Sequence, residues 1–209
     1  MKNIKNYINE RLHLTSKLQY SCQPTTKKEL LKIIIKRIKE DGPECDLNDI
    51  DVSKIKNMRN LFDASQYFGT KIFRTFNGDI SRWDVSNVRD MYQMFNSCEN
   101  FNCDLSRWNV SNVEYMQCMF YGCNKFNCDL SRWNVSNVKN IYSMFAHCEQ
   151  FNCDLSNWNL SKVDDIHNMF YKCKNFRQNL DDWNISKNVN MWDAFTFCPT
   201  QPKWYKYRK

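Results

Sequence analysis

The thirteen residues FNCDLSRWNVSNV stand at 101–113 and again, letter for letter, at 126–138. The words belong to a strict period. Phe76, Phe101, Phe126, Phe151 and Phe176 are each 25 positions apart, as are Trp83, Trp108, Trp133, Trp158 and Trp183, and Phe95, Phe120, Phe145, Phe170 and Phe195. Self-similarity at a period of 20–50 residues is the mark of a stacked repeat, in which one unit is too short to bury its own apolar face and needs neighbours above and below. Identical words therefore mean identical coils. Each period-locked residue becomes a column of like side chains, and a buried Trp contributes about 2–3 kcal/mol from area alone.

Within a unit, Leu105, Trp108, Val110 and Val113 follow the spacing of a leucine-rich repeat, which predicts a short strand over 107–110. Ser111-Asn112 then offers a helix N-cap. Val113, Met116, Phe120 and Cys123 fall on one stripe of a short helix, and Gly122 ends it. The expected fold is an α/β repeat, a short leucine-rich-repeat-like solenoid with one short strand and one short helix per 25-residue coil.

Three segments follow from the pattern. Residues 1–44 read as a helical N-terminal cap: Thr26-Lys27-Lys28-Glu29 is a capping box opening a helix through Leu30, Leu31, Ile34 and Ile38 that Gly42-Pro43 stops, and residues 4–20 read as a weaker helix. Residues 45–198 hold about six coils. The first is divergent, with Ile50-Asp51-Val52-Ser53 matching Trp83-Asp84-Val85-Ser86 and a loop inserted near 63–75. Residues 199–209 form a basic, aromatic tail in which Trp204, Tyr205 and Tyr207 are expected, with Phe197, to fold over the last coil.

The unit F-N-x-D-L-S-x-W-N-V-S-N-V-x-x-M-x-x-M-F, over residues 46–198, resembles the repeat of BspA-like leucine-rich-repeat surface proteins of bacteria. That group occurs in lipoproteins and in many proteins of gut bacteria, mycoplasmas and their mobile elements. The resemblance implies a solenoid with a strand and a helix per coil, and a role in adhesion or partner binding without catalysis. No signal, lipobox or wall anchor accompanies it here. The first 22 residues contain no uninterrupted apolar run, so neither a signal peptide nor a membrane insertion is expected. The chain reads as cytoplasmic, with a surface location implied only by the resemblance.

The eleven cysteines suit a reducing compartment. Eight fall in two columns, Cys98, Cys123, Cys148, Cys173 and Cys198, and Cys103, Cys128 and Cys153. Disulfides between coils and a zinc quartet of Cys98, Cys103, Cys123 and Cys128 remain open, but buried thiols packed as small apolar groups explain the period most simply. No metal or other cofactor is assigned. Asp79, Asp104, Asp129 and Asp154, then Asn179, form an acidic column whose repulsion calls for turn-forming bonds to backbone N–H groups, or a calcium ion. His13, His147 and His167 stand at unrelated positions, and no catalytic motif is present, so an enzyme is not expected.

The function classes left are binding ones. If Trp and Val of each strand point inward, the residues beside them face out: Arg82, Arg107, Arg132, Asn157 and Asp182, with Asp84, Asn109, Asn134, Asn159 and Asn184 alongside. Such a ladder, displayed by a monomer on a concave strand face, suits another protein as partner. The net charge of +7 suggests a nucleic acid or another anionic surface instead. The basicity sits at the two ends, and the tail residues Lys203, Trp204, Tyr205, Lys206, Tyr207 and Arg208 interleave cations with rings that could stack on bases. A cell-surface adhesin is the third reading.

Overall fold

Each coil directs its backbone N–H groups to two kinds of acceptor, and neither lies four residues back in its own chain. In a computed structural model, which describes residues 20–65 and 72–206, Met91, Gln93, Phe95 and Ser97 donate to the carbonyls of Tyr115, Gln117, Met119 and Tyr121 in the next coil, at 2.7–2.9 Å. The N–H groups between them turn back by three residues: Met94 to Met91, Asn96 to Gln93 and Cys98 to Phe95. The same rung recurs one coil on, from Met116, Cys118, Phe120 and Gly122 to Asn140, Tyr142, Met144 and Ala146, and again between every later pair.

This overturns the expected strand and helix in every coil. Among the described residues the only helices are α1 (Lys27–Asp41) and α2 (Lys203–Lys206), and pairing is confined to isolated parallel bridges such as Tyr115 to Asn140, with no sheet. Residues 107–110 form no strand: 106–107 make a turn closed by Trp108 N–H on Leu105 O at 3.0 Å, and 108–110 are irregular. The stripe Val113, Met116, Phe120 and Cys123 is fully buried, as a helix would bury it, but Cys118 at φ 53° and Gly122 at φ 71° are left-handed and cannot belong to an α-helix.

The left-handed residues recur at the coil period: Gln93, Cys118, Ser143, Asn168 and Asp193, and Ser97, Gly122, His147, Lys172 and Phe197. For non-glycine residues this conformation costs about 1–2 kcal/mol each. Two per coil is comparable with the net worth of four inter-coil hydrogen bonds, about 0.5–1.5 kcal/mol apiece. The balance is tipped by side chains.

Those side chains form the columns that the sequence predicts. Successive turns of chain lie over one another, with Trp108 and Trp133 rings parallel at 6.5 Å and the Phe101, Phe126 and Phe151 rings at 6.1 and 5.9 Å. A second phenylalanine column interleaves with the first, Phe120 lying 4.0 Å from Phe126. Every indole N–H of the column is bonded to the coil below: Trp83 to Leu47 O, Trp108 to Ile80 O, Trp133 to Leu105 O, Trp158 to Leu130 O and Trp183 to Leu155 O. Burying an indole with its N–H satisfied avoids the penalty of an unpaired donor.

At the N-terminal end, α1 opens on the capping box, Glu29 N–H donating to Thr26 Oγ1 and Thr26 N–H to Glu29 Oε2, both at 3.2 Å. It closes at Gly42, whose φ of 88° favours glycine. Leu30, Ile34 and Ile38 bury into the same core as the coils. The helix expected over residues 4–20 and most of the inserted loop fall on residues 1–19 and 66–71, outside the described residues. At the other end Trp204 Nε1 donates to Leu180 O at 2.8 Å, as each coil's indole does to the coil below, and Tyr205 is buried against Phe195.

Candidate functional site

The polar ladder is exposed throughout. Arg82, Arg107, Arg132, Asn157 and Asp182 lie beside the buried Trp column, and Asp84, Asn109, Asn134, Asn159 and Asn184 between Trp and its buried aliphatic neighbour. They sit on turns, so the concave strand face expected to carry them does not form. Much of the second row is bound to its own turn. Asp84, Asn109, Asn134 and Asn159 each accept from the N–H two residues on, at Ser86, Ser111, Ser136 and Ser161. These bonds hold the coil in shape and leave the side chains less able to turn towards a partner.

The acidic column makes the same bond. Asp79, Asp104, Asp129 and Asp154 accept from Ser81, Ser106, Ser131 and Ser156 at 2.9 Å. The hydroxyl and N–H of Ser106 hold the Asp104 carboxyl below its ordinary range, and the N–H and hydroxyl of Ser131 do so for Asp129.

All eleven cysteines are free. In the first column Cys98, Cys123, Cys148, Cys173 and Cys198 each donate to a carbonyl of the coil below, for example Cys148 Sγ to Phe120 O at 2.9 Å. In the second column the sulfur accepts, from Leu105 N–H to Cys128 Sγ and from Leu130 N–H to Cys153 Sγ, both at 3.1 Å. Burial raises these thiols, Cys103 to about 12 and Cys128 to about 11. Among the described residues no three His, Cys, Asp or Glu side chains gather as a metal site requires.

The tail divides. Trp204 and Tyr205 are committed to the last coil, Trp204 edge-on to Phe195 at 5.8 Å, so their rings are not presented for stacking on bases. Lys203 pairs with Asp181 at 3.1 Å. Lys206 ends α2, and Tyr207 and Arg208 lie outside the described residues.

A surface that sequence reasoning missed runs along the rungs. Positions 92, 117, 142, 167 and 192 share one register and carry Tyr92, Gln117, Tyr142, His167 and Trp192. The Tyr142 and His167 rings stack at 4.7 Å and 9°, Arg59 covers Tyr92 at 3.8 Å, and Trp192 is 71% exposed. His167 Nδ1 lies 2.7 Å from Asp165 Oδ1. Beside this row, His147 sits between the Tyr121 and Tyr171 rings at 5.3 and 5.5 Å, and its burial lowers its pKa. His147 and His167 thus occupy neighbouring registers of one face. Aligning the units and reading the positions that differ between coils is the signal that finds this row. The face ends in a pocket of about 990 Å³ lined by Lys187, Val189, Asn190, Met191, Trp192, Asp193 and Tyr205.

A family model described as Mycoplasma protein of unknown function, DUF285, matches residues 35–148 and 119–204. The chain belongs to that family. No curated protein and no solved structure matches it. No helix among the described residues is long and apolar enough to cross a membrane. The matched span takes in the coils, the C-terminal part of α1 and the start of α2.

Proposed function

We propose that this chain is a non-enzymatic protein-binding module whose docking surface is the aromatic face along the rungs. One observation carries the reading. The residues fixed at the 25-residue period are used up in building the stack, whereas Tyr92, Tyr142, His167 and Trp192 stand in register on its outside and change from coil to coil. Rings of this kind contribute most at protein interfaces because they offer large area for few rotatable bonds. The stacked backbone fixes them in advance, so little order is lost on binding. The likeness of the unit to the BspA-like repeat supports the same role.

The test starts from a partner captured with the full chain from its native cell and then purified. Calorimetric titration with the paired variant Tyr142→Ala and His167→Ala should show affinity lowered at least tenfold. Arg107→Glu with Arg132→Glu should change it by less than threefold at moderate salt. Failure to capture any protein, or an unchanged affinity for the first pair, overturns the proposal.

A further inference from the structure

The stack has a direction that is written in its hydrogen bonds. Every coil but the last donates towards the C-terminal end from four alternate N–H groups, and every coil but the first accepts on its other side through four alternate carbonyls. Ile166, Asn168, Phe170 and Lys172 donate to Asn190, Trp192, Ala194 and Thr196 at 2.8–3.0 Å. The equivalent donors of the last coil are Met191, Asp193, Phe195 and Phe197. Among the described residues none of these four N–H groups has a hydrogen-bond partner. The carbonyls of Met191, Asp193 and Phe195 are turned inward to Ala194, Thr196 and Cys198, so the edge that remains is made of donors alone.

The tail closes the end of the stack on one side only. Trp204 fills the indole position over Leu180 and Tyr205 covers Phe195, which is fully buried, while Met191 and Asp193 beside them are half-buried and Phe197 is exposed. On that row Trp192 is 71% exposed and Phe197 65%, whereas their counterparts one coil below, His167 and Lys172, are half-buried. Unpaired N–H groups and uncovered rings fall within residues 191–197, of which Met191, Trp192 and Asp193 line the pocket of about 990 Å³. That volume is at the upper end of the range for ligand pockets.

We infer that this open edge is a second docking site, which takes a segment of a partner protein laid across the last coil with its backbone carbonyls on the Met191, Asp193 and Phe197 N–H groups. The chemistry selects the occupant. Donors set in one row call for a row of acceptors, and five internal rungs of this chain already show that a backbone carbonyl row satisfies them. Trp192 and Met191 supply the apolar contact for its side chains. A second copy of the chain does not fit. At its far end the matching carbonyl of Arg59 is held by Lys27 Nζ at 2.8 Å and Leu61 and Asp63 are buried, and two donor edges brought together would oppose like with like.

The inference rests on the protein-binding reading but concerns a different surface, and its test needs no natural partner. The probe is a capped synthetic peptide of residues 164–172, DDIHNMFYK, whose carbonyls at Asp165, His167, Met169 and Tyr171 meet the equivalent row two coils lower, at Ile141, Ser143, Phe145 and His147. In the free full-length chain, amide exchange measured by NMR should be at least tenfold faster at Met191, Asp193 and Phe197 than at Ile166, Asn168 and Lys172. Peptide at about millimolar concentration, which is the affinity of a short unconstrained segment, should slow those three amides at least threefold, and Trp192→Ala should weaken the effect. Three amides already slow in the free chain, no slowing with peptide, or slowing that tracks self-association in the ultracentrifuge would each overturn the inference.

Discussion

Replacing Trp133 by Phe isolates what one indole does in the middle of the stack. Trp133 is 3% exposed, lies parallel to Trp108 and donates from Nε1 to Leu105 O at 3.0 Å. Leu105 O also accepts the N–H of Trp108 at 3.0 Å, so deleting the indole leaves the carbonyl with one partner. The loss is then the net value of one hydrogen bond, about 1 kcal/mol, and not the larger penalty of an unsatisfied buried group. The smaller ring leaves a void of roughly 40 Å³, which at about 24 cal/mol per Å³ adds about 1 kcal/mol. Trp133→Phe should therefore cost about 2 kcal/mol, read as a lower urea midpoint at unchanged slope. The same change at Trp204, which is partly exposed at the end of the stack, should cost about half as much. A loss under about 0.5 kcal/mol at Trp133, or a Trp133 indole N–H exchanging as fast as that of Trp192, would refute the column of bonded indoles.

Three further outcomes follow from particular residues. Lys172 holds φ 61° at the position where Gly122 holds 71°, so Lys172→Gly should stabilise by about 1 kcal/mol and Gly122→Ala should destabilise by about as much, the new methyl meeting nothing closer than 3.6 Å. Gly78→Ala should be worse than either in a thermal melt, because a Cβ there would stand 2.6 Å from Cys45 O and from the Phe76 ring. Burial raises the thiols from an ordinary value of 9.0 to about 12 at Cys103 and Cys198 and about 11 at Cys118, Cys128 and Cys153. Between those limits the unfolded chain has lost protons that the folded one keeps, so stability should be fully present below about pH 9 and fall as the pH rises towards 11–12.

The period, the buried columns and the capping box of α1 were legible in the sequence because each depends on residue type alone. The course of the coil was not. Val113, Met116 and Phe120 are spaced three and four apart, and that spacing buries one stripe whether each N–H bonds four residues back or crosses to the next coil. The residues that decide between the two are Cys118, Ser143 and Asn168, left-handed without being glycine, and only stacking on both sides enforces that. The polar ladder was placed correctly as exposed, since it alternates with buried Trp and Val, but its expected strand face was lost with the strands. Tyr142 and His167 escaped notice because they differ between units, and attention to the period discards what differs.

Each coil from residue 91 onward carries a left-handed residue at the same two places, and each coil but the last closes its rung on the next. Backbone φ measured by NMR couplings at Cys118, Ser143 and Asn168 tests it directly. The account requires values near the 53°, 51° and 55° found here. Values near −60° at all three, with helical medium-range contacts between Val113 and Gly122, would contradict it.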